Sequence, residues 1–304
     1  MKLAAIDIGT HCVLLLIVEN KNNQLVPLVD EATLTRIGEG MGQTNVFLPS
    51  GMERTLEVLK KYKTICDKQR VEKIIAVGTA AFRKAKNAKE FVAQVKKECG
   101  IIINIICGER EAELTWKAAS TDFGEEIAVV DIGGGSTEII RPETRDQRPE
   151  TNSIPIGSVL LTEKYCHSDP ISEKDYKNLC NAIDKQVQLL KPNASLPKTL
   201  VATAGTATTL GAIKKKMRIY KHAAIHGSKL TLAELKKIIA DLKSKTIAER
   251  KKILGLEAGR ADVILAGSLL LEKIAEHFGF KEIMISDRGV RWGLVYKEFD
   301  CPTN

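Results

Sequence analysis

An apolar run that ends in Asp-Ile-Gly occurs twice in this chain of 304 residues, and it limits the fold more than any other feature. The first copy is Ala4-Ala5-Ile6-Asp7-Ile8-Gly9 and the second is Ala128-Val129-Val130-Asp131-Ile132-Gly133. Hydroxyls follow each: Thr10 in the first, Ser136 and Thr137 in the second. A strand that delivers a carboxylate into a glycine bend suits a divalent cation and a phosphate. The Asp oxygens are hard ligands, and glycines let backbone N–H groups approach phosphate oxygens. Two copies imply two similar domains facing one phosphate-bearing ligand.

The order of elements repeats with the motif. Strands are expected near 2–8, 11–19 and 24–37. A helix near 52–68 follows, with Ser50 as its cap and Met52, Leu56, Leu59, Tyr62 and Ile65 at helical spacing. Then come a strand at 73–77, a helix at 87–98, a strand at 101–106 and a helix at 109–119. The second half begins the same way, with strands at 127–131, 137–140 and 152–156. Helices are expected at 159–165 and at 172–190, the latter capped by Ser172. Thr199–Thr203 is the next strand. Thr231 with Glu234 and Thr246 with Glu249 read as capping boxes. A long helix at 260–277 ends at Gly279, Ile283–Ser286 is the last strand, and a helix near 290–298 closes the series. A meander of three strands followed by alternating helix and strand gives an α/β fold with a mixed, helix-covered sheet, twice over. The join is expected in the short polar segment 120–126, giving domains 1–122 and 123–304, with a C-terminal helix of about 290–304 packing back on the first. The polar stretch Arg141 to Asn152 reads as a hairpin loop.

Composition narrows the partners. The net charge of +8 favours encounter with polyanions. Aromatics are only 5% of the chain and do not interleave with the lysine runs, which disfavours nucleic acid. No apolar run is long enough to cross a bilayer, and an Asp at position 7 argues against a signal peptide. The seven cysteines include no Cys-x-x-Cys pair. They read as buried or inert thiols of a reducing cytoplasm.

Three further strands end in bends rich in Gly, Ser, Thr or Asp: Val77-Gly78-Thr79, Ala204-Gly205-Thr206 and Ser286-Asp287-Arg288-Gly289. Ligands of open α/β sheets sit at such carboxyl ends. The run Asp131-Ile132-Gly133-Gly134-Gly135-Ser136 is the most telling. Three successive glycines cost conformational entropy without packing return, so close ligand approach is expected there.

Taken together, the residues resemble the exopolyphosphatase/guanosine pentaphosphate phosphatase (Ppx/GppA) family, within the actin-like, ribonuclease H-like (ASKHA) superfamily. The resemblance rests on Asp7 to Thr10, Thr35 to Gly40, Gly78 to Arg83 with Asn87, Gly108 to Ala112, Asp131 to Glu138, Gly205 to Thr209, His226-Gly227, Arg260 to Asp262 with Gly267, and Ser286 to Gly289. These run in family order over nearly the whole chain, at the length of the short two-domain members. The resemblance implies two duplicated actin-like domains with an active-site cleft between them.

It also implies roles. Glu111 is the general base that activates water, where the residues alone do not separate it from Glu109. Arg83 aims at substrate phosphates, and Asp131 and Glu138 hold Mg²⁺ or another divalent cation. Asp7, Gly9 and Thr10, with Gly133, Gly134, Gly135, Ser136, Gly205 and Thr206, cradle phosphate. The implied reaction is removal of the terminal phosphate of inorganic polyphosphate, with hydrolysis of pppGpp as the alternative. A homodimer is one way for so short a member to grip polymer.

The chain departs from the family pattern at His11 and Cys12, at Ala204, and at Arg110 and Glu113. The last two bear on Glu111 with opposite signs. A polyphosphate or (p)ppGpp sensor without activity, and a small-molecule kinase of similar fold, remain the competing classes. Retention of Glu111, Asp131 and Glu138 counts against the sensor.

Overall fold

The computed structural model describes residues 1–142, 150–190 and 197–299. The chain divides into two compact units, Met1–Ala118 together with the helix Val290–Glu298, and Ala119–Gly289.

The first unit holds β1 (Lys2–Ile8), β2 (Cys12–Lys21), β3 (Gln24–Leu34), α1 (Met41–Thr44), α2 (Pro49–Lys68), β4 (Lys73–Gly78), α3 (Ala80–Lys84), α4 (Ala88–Cys99) and β5 (Ile103–Ile105). The helix α5 (Gly108–Phe123) starts in this unit and ends in the second. The second unit continues with β6 (Ile127–Ile132), β7 (Thr137–Arg141), β8 (Glu150–Ile154), α6 (Ser158–Tyr165), α7 (Glu173–Val187), β9 (Thr199–Thr203) and α8 (Ala204–Lys214). It closes with α9 (His222–Ile225), β10 (Ser228–Thr231), α10 (Leu232–Lys243), α11 (Ile247–Arg250), α12 (Ile264–His277) and β11 (Glu282–Ile285). The last helix, α13 (Val290–Glu298), belongs to the first unit.

Duplication is explicit in the topology. The first sheet has the order β3-β2-β1-β4-β5, and the second reads β8-β7-β6-β9-β11 with β10 added at its edge. In each, three strands form an antiparallel meander and the next two run parallel to the first.

Alternation along β1 sorts its side chains between two cores. Ala4, Ile6 and Ile8 pack on one face with Leu59, Tyr62, Phe91 and Val95 of α2 and α4. Leu3 and Ala5 pack on the other with Leu114 and Ala118 of α5 and with Val290, Trp292 and Val295 of α13. Asp7 falls on this second face. In β6 the same period sends Ala128, Val130 and Ile132 into the core of the second unit, where α12 is buried along nearly its whole length. Asp131 therefore lies on the opposite face.

Caps follow the sequence with one exception. Ser172, Thr231 and Thr246 accept from the backbone N–H three residues on, and the two threonines form full capping boxes with Glu234 and Glu249. The helix expected to be capped by Ser50 starts earlier, with Leu48 at the cap and Pro49 first in the helix. Proline lacks the N–H that would be orphaned there and has its φ pre-set, so it claims that position. The long helix expected at 260–277 is broken: a 3₁₀ turn covers Ala258–Arg260 and α12 begins at Ile264. Beyond α12, Gly279 takes φ +76°, as a helix-ending glycine does.

The stretch Arg141 to Asn152 joins paired strands β7 and β8, as a hairpin should, although residues 143–149 lie outside the described residues, as do 300–304. Among the described residues six cysteines are free, and Cys107 is exposed rather than buried. No helix among the described residues is long and apolar enough to cross a membrane.

Helix α13 reaches α5 through a glycine. A Cβ on Gly293 would lie 2.0 Å from the Leu114 carbonyl oxygen, a backbone atom that cannot step aside. Gly293→Ala should lower the unfolding free energy by about 1–3 kcal/mol. A denaturant melt followed by circular dichroism measures it, and an unchanged midpoint would refute this packing.

Candidate active site

In the first unit the central strand ends at Asp7-Ile8, and the chain turns through Gly9 and Thr10. Gly9 N–H donates to the Cys12 carbonyl at 2.9 Å, and Gly133 N–H donates to the Ser136 carbonyl at 3.0 Å. The two Asp-Ile-Gly turns thus close on the same bond. Thr10 is walled in by the Thr35–Gly40 segment: Gly38 N–H donates to its carbonyl at 2.9 Å, and a Cβ on Gly38 would strike its methyl group. Arg36 adopts φ +50° to make that bend.

Glu111 is placed by α5. It shares a helix face with Leu114 and Ala118, which are buried against β1 and α13. Its side chain is 13% exposed, whereas Glu109 is fully open to solvent. Burial therefore separates two glutamates that the residue pattern alone does not. Arg83 Nη1 donates to Glu111 Oε2 at 2.6 Å and to the Ile106 carbonyl at 3.1 Å. Arg83 is held there by its neighbour Phe82, buried against Phe47 and Phe91 with ring centroids 5.0 and 6.1 Å away. Asn87 clamps this wall by exchanging two hydrogen bonds with the Phe47 backbone.

The charges in this pocket of the first unit oppose one another. Burial pushes the Glu111 carboxyl above its ordinary range, and the Arg83 guanidinium pulls it back. Asp7 is pushed up to about 7, first by burial and then by the negative charge of Glu111, with Arg291 opposing. One Asp7 oxygen, Oδ1, is out of solvent and has no hydrogen-bond partner. Arg291 is a residue that sequence reasoning missed. Its guanidinium makes a forked pair with Asp30, at 2.9 and 3.3 Å, and both side chains are nearly buried. The departures Arg110 and Glu113 cancel by pairing with each other at 2.9 Å, so Arg83 is the cation that acts on Glu111.

In the second unit, strand register assembles a polar row. Asp131 pairs with Thr203 on one side and with Glu138 on the other, and Glu138 pairs with Ser153. Residues opposite one another in a ladder share a face with Cβ atoms about 5 Å apart. Ser153 donates to Glu138 Oε1 at 3.1 Å, and Glu138 is buried. Two facing carboxylates offer hard oxygen donors, and such a set fits a small divalent cation.

The glycine run has a packing return that the sequence does not reveal. The Gly133 and Gly134 carbonyls accept the first backbone N–H groups of α6, from Ser158, Val159 and Leu160, at 3.0–3.2 Å. Gly157 makes the approach feasible, since a Cβ there would lie 2.6 Å from the Gly134 backbone. The start of α6 is thereby spent on holding the loop. Ser136 is buried beside it.

At Ala204-Gly205-Thr206 the left-handed residue is Ala204, with φ +66°, and not Gly205. The Arg260 guanidinium lies where a Cβ on Gly205 would be, and Thr206 packs against Gly267 of α12. Arg260 had been visible only as part of a resemblance, without a role. Each expected residue thus sits in a strand-end turn, in the first turn of a helix beyond one, or in a facing pair. Contacts join Arg83 to Glu111, and register joins Asp131 to Glu138.

Comparison with known proteins places this geometry. The sequence profile described as the Ppx/GppA phosphatase family matches residues 16–301. The chain belongs to the Ppx/GppA phosphatase family. It is 34% identical over 306 residues to a bifunctional 3-dehydroquinate synthase/phosphatase of Fusobacterium nucleatum, covering 96% of this chain and only 46% of that protein. It is 31% identical to exopolyphosphatase 2 of Mycobacterium tuberculosis, covering 97% of each. Among solved structures, an Aquifex aeolicus Ppx/GppA family member superposes with a TM-score of 0.81 at 35% identity, over 98% of this chain and 97% of that one. An exopolyphosphatase from Cytophaga hutchinsonii superposes with a TM-score of 0.91 at 28% identity, over 99% and 98%. The fold is therefore the duplicated actin-like α/β fold, and the enzyme class that the resemblance implied, a phosphoric anhydride hydrolase, agrees with that membership.

Asp7 gives a stability test. Burial, and then the charge of Glu111, push its carboxyl up to about 7 from an ordinary value near 3.8, so the folded state holds the proton more tightly. The contribution is fully present below about pH 4 and is lost as pH rises through about 7. Asp7→Asn should flatten this fall, worth at most ~4 kcal/mol, and make the variant the more stable protein at pH 8. Unfolding melts at pH 4 and pH 8 measure it, and parallel pH profiles for the two proteins would refute it.

Proposed function

We propose that this enzyme is an exopolyphosphatase, removing the terminal phosphate of inorganic polyphosphate by in-line attack of water. The observation that carries the reading is Glu111. It is a buried carboxylate of raised proton affinity, held by Arg83 at the mouth of a helix that follows a strand end. A base for water needs proton affinity above that of an exposed carboxylate and a fixed orientation, and burial and the Arg83 bond supply both.

In this reading the water proton passes to Glu111 as its oxygen bonds the terminal phosphorus, and the bridging oxygen leaves with the shortened chain. Both Arg83 bonds leave from Nη1, so Nη2 and Nε serve to meet a phosphate oxygen and offset the growing charge. Asp131 and Glu138 would hold Mg²⁺ or another divalent cation, which when bound neutralises charge on the phosphoryl oxygens. The Gly9-Thr10, Gly133–Ser136 and Gly205-Thr206 turns orient the phosphates.

The second reading is hydrolysis of pppGpp. It is favoured by 27% identity to a protein of Aliivibrio fischeri named guanosine-5'-triphosphate,3'-diphosphate pyrophosphatase, of which this chain covers 59%. The high positive charge favours the longer polyanion.

Phosphate release from defined polyphosphates and from pppGpp, with and without Mg²⁺, tests both. Glu111→Gln should lose about 10²–10⁴-fold in turnover. Full activity in that variant would remove the base assignment, and no release from either substrate would remove the hydrolase reading in favour of a sensor. ATP-dependent phosphorylation of a small acceptor would favour a kinase. Arg83→Gln removes the cation that lowers the Glu111 pKa. The acid limb of its pH–rate profile should therefore move to higher pH, by about one unit. Glu138→Gln should raise the Mg²⁺ concentration needed for half-maximal rate with little change in Arg83-dependent pH behaviour, and an unchanged Mg²⁺ requirement would remove Glu138 from the cation site.

A further inference from the structure

A groove of about 550 Å³ lies between α6 and α7 in the second unit, lined by Lys164, His167, Lys174, Asn178, Asn181 and Lys185 among others. Four of these come from one helix. Lys174, Asn178, Asn181 and Lys185 are spaced 4, 3 and 4 residues apart on α7, so they form one stripe along it. The opposite face, Leu179, Ile183 and Val187, is buried in the core. The stripe therefore runs straight for about 16 Å at 1.5 Å per residue, on a helix that the core holds in place.

Its cations are uncommitted. Lys214, Lys236, Lys243, Lys245 and Lys273 of the same unit each sit against a carboxylate. Among the described residues, Lys164, Lys174 and Lys185 are in no ion pair, and Lys164 only overhangs the Tyr165 ring. The groove's one carboxylate, Asp175, is turned onto its own loop. It accepts from the His167 N–H at 3.3 Å and from Ser168 Oγ at 3.0 Å, and lies 3.6 Å from His167 Nδ1. Those bonds hold its pKa below the ordinary range and tie its charge to the loop. A linear row of unpaired ammonium groups with amide donors between them suits an extended chain of evenly spaced anionic charges. Nucleic acid fits less well, because of the groove's two rings Tyr165 is half-buried and covered by Lys164 and His167 is turned to Asp175, so neither is a free stacking platform.

We propose that the α6–α7 groove is a secondary binding site for a condensed-phosphate chain, distinct from the turns that carry the chemistry. The inference rests on the polyphosphate reading of the active site for its role, and not for its existence. Helix α6 links the two places. Its first N–H groups hold Gly133 and Gly134, and its last residue, Tyr165, lines the groove. Seven residue steps along α6, from Ser158 to Tyr165, separate them by about 10 Å along the axis. Long chains can occupy both places, and the shortest cannot. The groove then confers preference for length.

The test is equilibrium binding of labelled long-chain polyphosphate, with tripolyphosphate as the short comparison. The double variant Lys174→Gln/Lys185→Gln should bind the long chain about tenfold more weakly, with a shallower salt dependence. Its affinity for tripolyphosphate should be unchanged. Its KM for long chains should rise with kcat unchanged. Lys251→Gln/Lys252→Gln, exposed elsewhere in the unit and equal in charge, should change none of these. If the wild type releases no phosphate from polyphosphate while the groove variant still loses binding, the groove stands and the catalytic reading falls. Equal binding by the groove variant and the wild type overturns the proposal. So does equal loss in the control pair, or competition by a single-stranded oligonucleotide as strong as that of polyphosphate of equal charge.

Discussion

A carboxylate at the end of a central, covered strand is expensive unless a proton or a cation accompanies it. The first unit is organised around that constraint. Asp7 is delivered by the same alternation that buries Leu3 and Ala5, so it cannot face water without turning those side chains out. Glu111 is delivered to the same face by helical period. Two carboxyls are thereby placed within each other's influence, and burial raises the proton affinity of both. Two arginines from distant parts of the sequence oppose this, Arg83 on Glu111 and Arg291 near Asp7, with Arg291 in turn oriented by Asp30. A carboxyl whose proton affinity is raised above that of an exposed one is the better base. If Glu111 is the base, as proposed, the energetic penalty of its burial and its chemical use are one arrangement.

The duplicated strand–turn was put to different use in the two copies, and register shows how. In the first sheet the two residues paired directly with Asp7, Val77 and Leu14, are both apolar. Across the second the row is Thr203, Asp131, Glu138 and Ser153, polar throughout. One strand position in each neighbour decides between a lone buried acid and a cluster of oxygen donors. The turns themselves are the same, closed by the same Gly N–H bond. The two copies thus differ in the residues of neighbouring strands and not in the backbone of the turn.

This also marks what was legible in the sequence. The element order, the repeat and the capping boxes could be read because each is local: alternation, helical spacing, and a threonine three residues from a glutamate. The pairing of Asp131 with Glu138 was legible because a hairpin turn fixes register over a few residues. Arg291 with Asp30, Arg260 over Gly205, and Gly157 beneath Gly134 were not. Each is a contact between residues far apart in the chain, and only the packed sheet brings them together. Ser50 misled because its cap chemistry is sound, but Pro49 beside it starts the helix one turn position earlier. Glu109 and Glu111 were separable only by resemblance until the buried face of α5 was known.

The glycine run between β6 and β7 illustrates how a functional signal and a packing signal can share residues. Three glycines suggested close approach of a phosphate, on the argument that nothing else repays their entropy. The carbonyls of Gly133 and Gly134 do repay it, by satisfying helix N–H groups of α6 that would otherwise be orphaned. The two uses are compatible because they engage opposite ends of the peptide dipoles. Carbonyl oxygens point to α6, while an anion would need the N–H groups. Gly133 spends its own N–H on closing the turn, so any phosphate contact falls to the amides that follow it. Binding the loop to a helix start, instead of leaving it to fluctuate, fixes those amides before a ligand arrives, and less entropy is then lost on binding.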